Sequence, residues 1–336
     1  MPTFRALRLH ELPGNPAPTM DARLCDLALD DLTPGGVVVR VAWSGINYKD
    51  ALAVTGAGRI LRRSPLVGGV DLAGTVLSSD VPTVAPGDRV LVTGCGLSET
   101  RDGGYAAVAR VPADAVIPLP PGFDLRQAMI LGTAGFTAGL ALHRMEHNGQ
   151  SPAMGPVVVS GATGGVGSIA VDLLAGRGYE VWALTRKADA ASYLTALGAT
   201  RVLAPAELGV GDKPLESVRW GGAIDNVGGS LLSGLLRGCA PWGNVASIGL
   251  AAGPELHTSV MPFILRGVNL LGINSSATLR GPRLAVWQRL ATDLRPRHLD
   301  AMVAGEVSLD DIPSTSRRVL AGTHRGRFLV RIGGDT

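Results

Sequence analysis

Residues 156–168 read PVVVSGATGGVGS, and this stretch decides the fold class of the chain. A run of valines typical of a buried strand enters a glycine-rich loop, and the apolar helical pattern Val166–Ala175 follows at once. Glycines at such a turn let the backbone bend sharply and let a pyrophosphate approach the free N–H groups of the helix N-terminus. The stretch therefore predicts a dinucleotide-binding strand–turn–helix unit, although its spacing departs from the strict G-x-G-x-x-G pattern.

The chain after this loop alternates between strand and helix patterns. Predicted strands lie at Val157–Ser160, Glu180–Thr185, Arg201–Leu203, Ala223–Asn226, Asn244–Ile248 and Asn269–Ile273. Predicted helices lie at Val166–Ala175, Ala188–Leu197 and Leu231–Arg237, and glycine, a common helix terminator, follows the last two. Strands that alternate with helices of this length form a doubly wound parallel sheet through right-handed crossovers. The fold class is therefore α/β.

The first third of the chain has a different character. Short strand patterns at Val37–Trp43, Asp88–Thr93 and Tyr105–Val111 follow glycine and proline turns, which indicates a small, rolled β-rich domain. A helical Ala/Leu pattern begins around Gly132–Leu142. Residues 326–332 read GRFLVRI, and they predict a closing strand that returns to the first domain.

The composition excludes several functional classes. With 336 residues, 46% hydrophobic and 18% charged, the chain suits two domains and is too apolar for intrinsic disorder. A net charge of +3 and 4% aromatic residues disfavour nucleic-acid binding. Three cysteines without metal or disulfide spacing, no signal-peptide pattern and no membrane-spanning run favour a cytoplasmic protein with no membrane partner.

The end of the second predicted strand indicates which dinucleotide is bound. NAD sites usually place Asp or Glu there to hold the ribose hydroxyls, whereas this chain has Thr185, Arg186 and Lys187. A hydroxyl and two cations suit a 2′-phosphate, so the sequence predicts NADPH as the cofactor. The alternative is that the two cations are simply solvated charges at the start of a helix.

Six dispersed motifs carry a resemblance to a known family. They are NYKDAL (residues 47–52), GVDLAG (69–74), GTAGFT (132–137), the glycine loop, GAIDNVG (222–228) and VMPFILR (260–266). With these motifs the chain resembles the zinc-independent branch of the medium-chain dehydrogenase/reductase superfamily, and within it the NADPH-dependent acrylyl-CoA reductases and quinone oxidoreductases. The resemblance implies a Rossmann domain (126–275) inserted in a GroES-like catalytic domain (1–125 and 276–336). It also implies a homodimer paired near Asn269–Ile273.

The resemblance also implies a set of cofactor-binding residues. The predicted NADPH contacts are Tyr48, Thr163, Gly164, Gly165, Val166, Thr185, Arg186, Lys187, Arg201, Leu250, Ile264, Ser275 and Arg327. Arg201 opens a strand and is equally interpreted as a surface charge. Zinc-containing members place Cys and Gly-His-Glu where this chain has Asn47 and the segment Gly69-Val70-Asp71, so no metal is expected. Hydride transfer to an acceptor that is already electrophilic is the chemistry that remains.

Two polar segments, residues 47–50 and 59–62, provide the candidates for contact with the substrate. Tyr48 is the predicted catalytic residue, a donor to the enolate oxygen or to carbon, although a ring that only shapes the pocket is the alternative. Asn47 and Asp50 are expected to anchor their loop. Arg59 and Arg62 lie in a basic loop and are predicted to bind the phosphates of coenzyme A, with a solvated loop as the alternative.

The sequence thus predicts NADPH-dependent reduction of the activated double bond of a small enoyl-CoA such as acrylyl-CoA. The first alternative is an NADPH:quinone oxidoreductase. The second, from another functional class, is a nucleotide-binding redox sensor without turnover.

Overall fold

A computed structural model describes residues 3–14 and 19–334 of the chain, which form sixteen strands and eight α-helices. The strands are β1 (Phe4–Leu12), β2 (Thr19–Leu27), β3 (Val37–Ile46), β4 (Leu66–Val67), β5 (Asp71–Ser79), β6 (Arg89–Thr93), β7 (Val108–Val111), β8 (Ile117–Pro118), β9 (Val157–Val159), β10 (Val181–Leu184), β11 (Arg201–Leu203), β12 (Trp220–Asp225), β13 (Cys239–Ser247), β14 (Asn269–Gly272), β15 (Val303–Val307) and β16 (Arg327–Arg331). The helices are α1 (Tyr48–Thr55), α2 (Leu125–His147), α3 (Gly165–Gly176), α4 (Ala191–Ala196), α5 (Gly229–Arg237), α6 (Met261–Arg266), α7 (Arg280–Ala291) and α8 (Ile312–Leu320). In this part of the chain no helix is both long and apolar enough to cross a membrane.

The chain divides into two compact units. The first comprises the described parts of Met1–Thr133, Ser276–Ala285 and Leu299–Thr336, and the second comprises Ala134–Ser275 and Val286–His298. Each unit has its own sheets and its own apolar core.

The second unit contains a six-stranded parallel sheet in the order β11-β10-β9-β12-β13-β14. Counted from β9 as strand 1, this is the order 3-2-1-4-5-6 of a Rossmann fold, with the topological switch point between β9 and β12. The predicted doubly wound sheet is confirmed. In such a sheet, ligands bind beside the carboxyl ends of the strands at the switch point, so the topology alone places the candidate nucleotide site.

The core of this sheet explains why short apolar segments fold into it. Val158, Leu184 and Val245 are at most 1% exposed, and the indole of Trp220 is buried among them with its Nε1–H donating to the carbonyl of Leu235 at 2.9 Å. Strands buried on both faces read as continuous apolar runs in the sequence. That is why the valine run at residues 157–159 was predictable as a strand.

The first unit contains two mainly antiparallel sheets, β2-β1-β4 and a seven-stranded sheet built around the long strand β3, in which, among the described strands, only the pair β15–β16 is parallel. Strand β3 pairs with β5, β7 and β16, and the register of the last pair sets Phe328 opposite Ile46. Residues 326–332 therefore do return to the first unit, as predicted. This pairing brings Arg327, the first residue of β16, close to the residues that follow β3 in the sequence.

Three local predictions differ from the structure. The predicted strand Tyr105–Val111 begins only at Val108, because the backbone of Tyr105 bonds to Leu7 and Gly68 outside the ladder of β3. Residues 188–197 form a 3₁₀ turn followed by the short helix α4. Finally, Gly132 interrupts α2 with φ 48° and ψ −150°, so the helical pattern starts earlier, at Leu125, and breaks where it was predicted to begin.

Candidate active site

The glycine loop connects β9 to α3 in the second unit. Gly161 has φ +57°, which favours glycine, and Gly164 precedes the first residue of α3. A Cβ atom at Gly167 would collide with the carbonyl oxygen of Gly161, so this glycine lets the helix pack against the loop. The hydroxyl of Ser168 donates to the carbonyl of Ala162 at 3.2 Å and fixes the turn. The arrangement leaves a helix N-terminus at the carboxyl end of a central strand, where backbone N–H groups favour a phosphate.

Asn226 lies across the switch point from this loop, at the carboxyl end of β12. Its side-chain amide donates to the carbonyl of Ser160, and its backbone N–H donates to the Ser160 hydroxyl, both at 2.8 Å. The Asn226 Oδ1 atom is buried and accepts no hydrogen bond from the described residues. A buried acceptor without a donor costs about 1–3 kcal/mol, so a ligand with a hydroxyl or amide donor fits this edge.

Asn226 lies in the motif at residues 222–228 but was not among the predicted site residues. The available signal was its position: a polar side chain that directly follows the strand across the switch point from the glycine loop. A dinucleotide carries phosphates and ribose hydroxyls, and these match the glycine loop and the orphan acceptor of Asn226. The residues at this edge therefore fit a dinucleotide.

Thr185, Arg186 and Lys187 follow the carboxyl end of β10. The backbone N–H of Thr185 donates to the carbonyl of Leu203 at 3.0 Å, and the hydroxyl of Thr185 accepts from the backbone N–H of Lys187 at 3.1 Å. Thr185 is buried, whereas Arg186 is exposed. These bonds hold the three residues in a tight turn at the same strand edge as the glycine loop, and the turn carries one hydroxyl and two cationic side chains.

Leu250 lies at the same edge, because a Cβ atom at Gly228 would stand 3.2 Å from the Cα of Leu250. Leu250 is 63% exposed and Ile264, on α6, is 71% exposed, which is unusual for apolar side chains. Ser275 follows β14. The cofactor contacts of these three residues stay predictions.

Arg201 does not lie where its predicted contact with the adenosine end of the cofactor would place it. It opens β11 in register with Trp182, and its guanidinium carbon lies 4.6 Å from the centre of the Trp182 ring. A cation over an indole face is a favourable contact in itself. The position is at the amino end of its strand, whereas nucleotides bind at the carboxyl ends. The structure therefore gives Arg201 a partner of its own, and the adenosine contact stays a prediction.

A buried polar cluster occupies the first unit, and we call it the Asp71 cluster: Asn47, Asp50, Asp71, Thr133 and Arg327. The Asn47 side-chain amide donates to Asp71 Oδ2 at 2.8 Å and to Asp50 Oδ2 at 3.0 Å. The backbone N–H and hydroxyl of Thr133 donate to the Asp71 carboxylate at 2.6–3.0 Å. Two carboxylates are thus joined through one amide.

Arg327 supplies the positive charge of the Asp71 cluster. Its Nη1 donates to Asn47 Oδ1 at 2.7 Å, and its Nη2 lies 3.5 Å from Asp71 Oδ2. Arg327 is 2% exposed, and burial lowers the pKa of its guanidinium while Asp71 opposes that shift. Arg327 would have to leave these partners to bind a phosphate. The predicted pyrophosphate contact stays a prediction, and the observed role of Arg327 is to neutralise the cluster.

Gly132 is where the Asp71 cluster interrupts α2. A Cβ atom there would lie 2.5 Å from Asp71 Oδ2 and 2.8 Å from Arg327 Nη2. The positive φ at Gly132 also directs the next residue, Thr133, to donate to Asp71. The glycine is therefore required both by its backbone conformation and by the lack of space.

The Asp71 cluster fixes the start of helix α1. Asp50 accepts from the backbone N–H groups of Asn47 at 2.9 Å and Val70 at 2.8 Å, so its predicted anchoring role is confirmed. Burial, and secondly the nearby Asp71 carboxylate, raise the pKa of Asp50 to about 6. Tyr48, the first residue of α1, is 48% exposed, whereas Ala51 and Val54 on the same helix are buried. The cluster thus holds a tyrosine at the surface of the unit at a defined position.

Two of the positions at which zinc-containing members of the superfamily place zinc ligands are Asn47 and Asp71 of this cluster. The Asn47 amide there faces Asp71, and the cationic Arg327 stands 3.5 Å from the same carboxylate oxygen. A divalent cation at this place would meet a guanidinium at close range, so these residues do not fit zinc. Within residues 3–14 and 19–334, no group of three or more His, Cys, Asp or Glu residues is arranged to hold a metal ion.

The basic loop after α1 also belongs to the first unit. Arg59 and Arg62 are exposed, and Leu61 between them is buried in the apolar core. Their contact with coenzyme A stays a prediction.

Two family models match the chain. The alcohol dehydrogenase GroES-like domain matches residues 33–121, and the zinc-binding dehydrogenase model matches residues 165–291. The acrylyl-CoA reductase AcuI of Ruegeria pomeroyi is 46% identical over 312 residues, which cover 93% of this chain and 94% of that protein.

Two solved oxidoreductases share the fold at high similarity. The yhdH oxidoreductase of Salmonella enterica in complex with NADP superposes with a TM-score of 0.93 at 43% identity and covers 98% of this chain and 99% of that one. The YhfP protein of Bacillus subtilis, named as a candidate quinone oxidoreductase, is 47% identical over 307 residues, or 91% of this chain and 93% of that protein. Its structure with NAD bound has a TM-score of 0.93 over 98% of this chain and 99% of that one.

Proposed function

Because the chain belongs to the medium-chain dehydrogenase/reductase family, we propose that it is an NADPH-dependent enzyme that reduces the activated carbon–carbon double bond of a small enoyl-CoA such as acrylyl-CoA. The observation that carries this proposal is the Asp71 cluster, in which Arg327 and Asn47 engage the carboxylate at the place of a zinc site. An alkene conjugated to a thioester needs no metal ion to accept a hydride. The likeness to a named acrylyl-CoA reductase supports the same substrate class.

The proposal divides the work between the two parts of the chain. Residues 126–275 are proposed to bind NADPH, and residues 1–125 and 276–336 to bind the acceptor. Backbone N–H groups at Thr163, Gly164, Gly165 and Val166 would hold the pyrophosphate, and Thr185, Arg186 and Lys187 the 2′-phosphate. NADPH, when bound, supplies the hydride that the β-carbon of the alkene receives.

Tyr48 is the proposed catalytic residue. Hydride addition at the β-carbon moves negative charge onto the thioester oxygen, and a hydroxyl donor there stabilises the charge in the transition state. The α-carbon then takes a proton, from the Tyr48 hydroxyl or from solvent. The Asp71 cluster holds α1 and with it Tyr48, so no reorganisation of the helix is required during the reaction.

We further propose that the enzyme acts in the cytoplasm as a homodimer. Strand β14 lies at the edge of its six-stranded sheet, and Leu270 on this strand is 36% exposed. An unpaired edge with an exposed apolar side chain is suited to pairing with a second copy.

Comparison of two acceptors tests the proposed reaction. At matched NADPH concentrations, we expect kcat/KM for acrylyl-CoA to exceed kcat/KM for a simple benzoquinone by at least about tenfold. The reason is that the Tyr48 hydroxyl is proposed to donate to the thioester oxygen, on which negative charge develops. The measurement is NADPH oxidation followed by absorbance. A clear preference for the quinone would favour the second candidate function, quinone reduction, which the likeness to YhfP supports. No oxidation with any acceptor of a panel would favour a nucleotide-binding sensor.

Replacing both Arg186 and Lys187 with Gln tests the cofactor assignment. We expect KM for NADPH to rise about tenfold or more, because two charge-assisted contacts to the 2′-phosphate are removed. KM for NADH should change less than about twofold, since NADH lacks that phosphate. Lys213→Gln, a change at another exposed cation of the same unit, is the matched control and should leave both values unchanged. Equal changes for both cofactors would contradict the assignment.

A further inference from the structure

The loop that follows β6 carries Glu99 on a rigid backbone. Cys95 has φ +53° and Ser98 has φ +60°, left-handed conformations that residues other than glycine seldom adopt. Leu97 and Ser98 are both 0% exposed, and the backbone N–H of Ser98 donates to the carbonyl of Arg101 at 2.8 Å. Such conformations persist where packing and hydrogen bonds over-determine the backbone, and they cluster at functional sites. The loop therefore holds Glu99 at a defined position.

Glu99 bonds to three separate segments of the first unit. Its Oε1 atom pairs with the ammonium group of Lys49, on α1, and accepts from the hydroxyl of Ser276 at 3.0 Å. Its backbone carbonyl accepts from the N–H of Arg62 at 2.7 Å. Lys49 is 50 residues from Glu99 in the sequence and Ser276 is 177, so one residue joins parts of the chain that no local element connects.

Ser276 is itself fixed at this loop. Its carbonyl accepts from the backbone N–H of Cys95 at 3.1 Å and from Nη2 of Arg283 at 3.3 Å. A Cβ atom at Gly94 would lie 3.0 Å from the Cα of Ser276, so the two backbones are in close contact. Ser276 begins a segment of the first unit and directly follows Ser275, a proposed cofactor contact. The serine hydroxyl is thus a fixed donor that orients the carboxylate it bonds to.

The ion pair between Lys49 and Glu99 is placed to position a helix rather than to stabilise the fold. The two side chains are 34% and 20% exposed, and partly exposed ion pairs contribute little to the free energy of folding. Lys49 directly follows Tyr48 in the first turn of α1. A constraint on its ammonium group is therefore a constraint on the turn that carries the Tyr48 hydroxyl.

We propose that Glu99 is a positioning residue for the reduction, which sets the first turn of α1, and with it the Tyr48 hydroxyl, through Lys49. Ser276 orients the carboxylate for this contact. Glu99 acts through these residues and makes no contact with the reacting atoms. The inference rests on the proposed function, because it takes Tyr48 as the donor to the substrate. The placement of that donor then depends on the segment that directly follows Ser275.

Two variants test the two contacts of the carboxylate. Glu99→Gln removes the charge that pairs with Lys49, and Ser276→Ala removes the hydroxyl that orients that charge. In each variant we expect kcat for acrylyl-CoA to fall about tenfold, because a small misplacement of a catalytic group slows the chemical step, while KM for NADPH stays within about twofold. The two losses should not multiply in the double variant, since both act through one contact.

Two further variants separate positioning from a loss of charge or of stability. Glu99→Asp keeps the charge on a shorter side chain and should recover most of the lost kcat. Glu306→Gln is the matched control, because Glu306 is 27% exposed and pairs with Arg126 and Arg331, so that another partly exposed ion pair is broken. It should leave kcat unchanged. The midpoint of urea unfolding should move little in Glu99→Gln and in the control.

Three results would overturn the inference: an unchanged kcat in either single variant, losses that multiply, or a loss of kcat that only follows the loss of folded protein. Hydrogen exchange followed by mass spectrometry separates the inference from the proposed reaction, since it needs no turnover. Faster exchange of α1 in Glu99→Gln than in the wild type, with unchanged exchange in β3 and β5, supports the positioning role even if acrylyl-CoA is not reduced. Equal exchange of α1 in the two proteins contradicts it.

Discussion

Replacing Asp71 with Asn is expected to lower the free energy of unfolding by about 3–5 kcal/mol, because it leaves Arg327 as an unpaired charge that is 2% exposed. The substitution also sets an amide N–H against the donors of Thr133 and Asn47, which now bond to carboxylate oxygens. Urea unfolding followed by circular dichroism measures the loss, and the transition should keep its slope while its midpoint falls.

A double-mutant cycle separates the ion pair from the general packing of the cluster. Arg327→Met alone removes the cation and leaves the Asp71 carboxylate buried, so it should also destabilise the protein strongly. The double variant should be more stable than the sum of the two single losses implies, since neither charge is then left alone. Additive losses would show that Asp71 and Arg327 do not act as a pair.

Replacing Tyr48 with Phe is expected to lower kcat/KM for acrylyl-CoA about 100-fold. This is the usual size of the loss when one hydrogen-bond donor to a developing oxyanion is removed. The ring and its packing are kept, so the affinity for NADPH and the stability should change little. Single-turnover NADPH oxidation measures the chemical step directly.

Tyr179→Phe is the matched control for this change. The Tyr179 hydroxyl is buried in the second unit, where it donates to the carbonyl of Gln150 at 3.1 Å, and Tyr179 precedes β10, at the opposite end of that strand from Thr185. Its removal should cost about 1 kcal/mol of stability and leave kcat/KM unchanged. Unchanged turnover of acrylyl-CoA in the Tyr48 variant would show that the tyrosine only shapes its surroundings.

The fold was predictable because its signals are local. The valine run 157–159, the glycine loop and the polar turn at Thr185 each lie within one strand–turn–helix unit, and the alternation of such units leaves few topologies. The anchoring role of Asp50 was predictable from a local signal as well, because short polar side chains commonly bond to nearby backbone groups at turns.

The rest of the site depends on contacts between distant parts of the chain. Asn47 and Arg327 are 280 residues apart, and no periodicity or spacing indicates that they meet. The break in α2 at Gly132 follows from the same cluster, since a local helical pattern contains no sign of Asp71 or Arg327 beside it. The orphan acceptor of Asn226 is a property of packing as well, because the sequence shows the residue but not its missing donor.

The proposed reaction passes a hydride from NADPH to a conjugated alkene without a metal ion. The most direct test is the reduction of acrylyl-CoA with NADPH deuterated at both C4 positions, in ordinary water, with and without a strong zinc chelator. Mass spectrometry of the product should find one deuterium at the β-carbon and none at the α-carbon, at rates that the chelator does not change. A product without deuterium, or a rate that the chelator abolishes and added zinc restores, would contradict this metal-free hydride transfer.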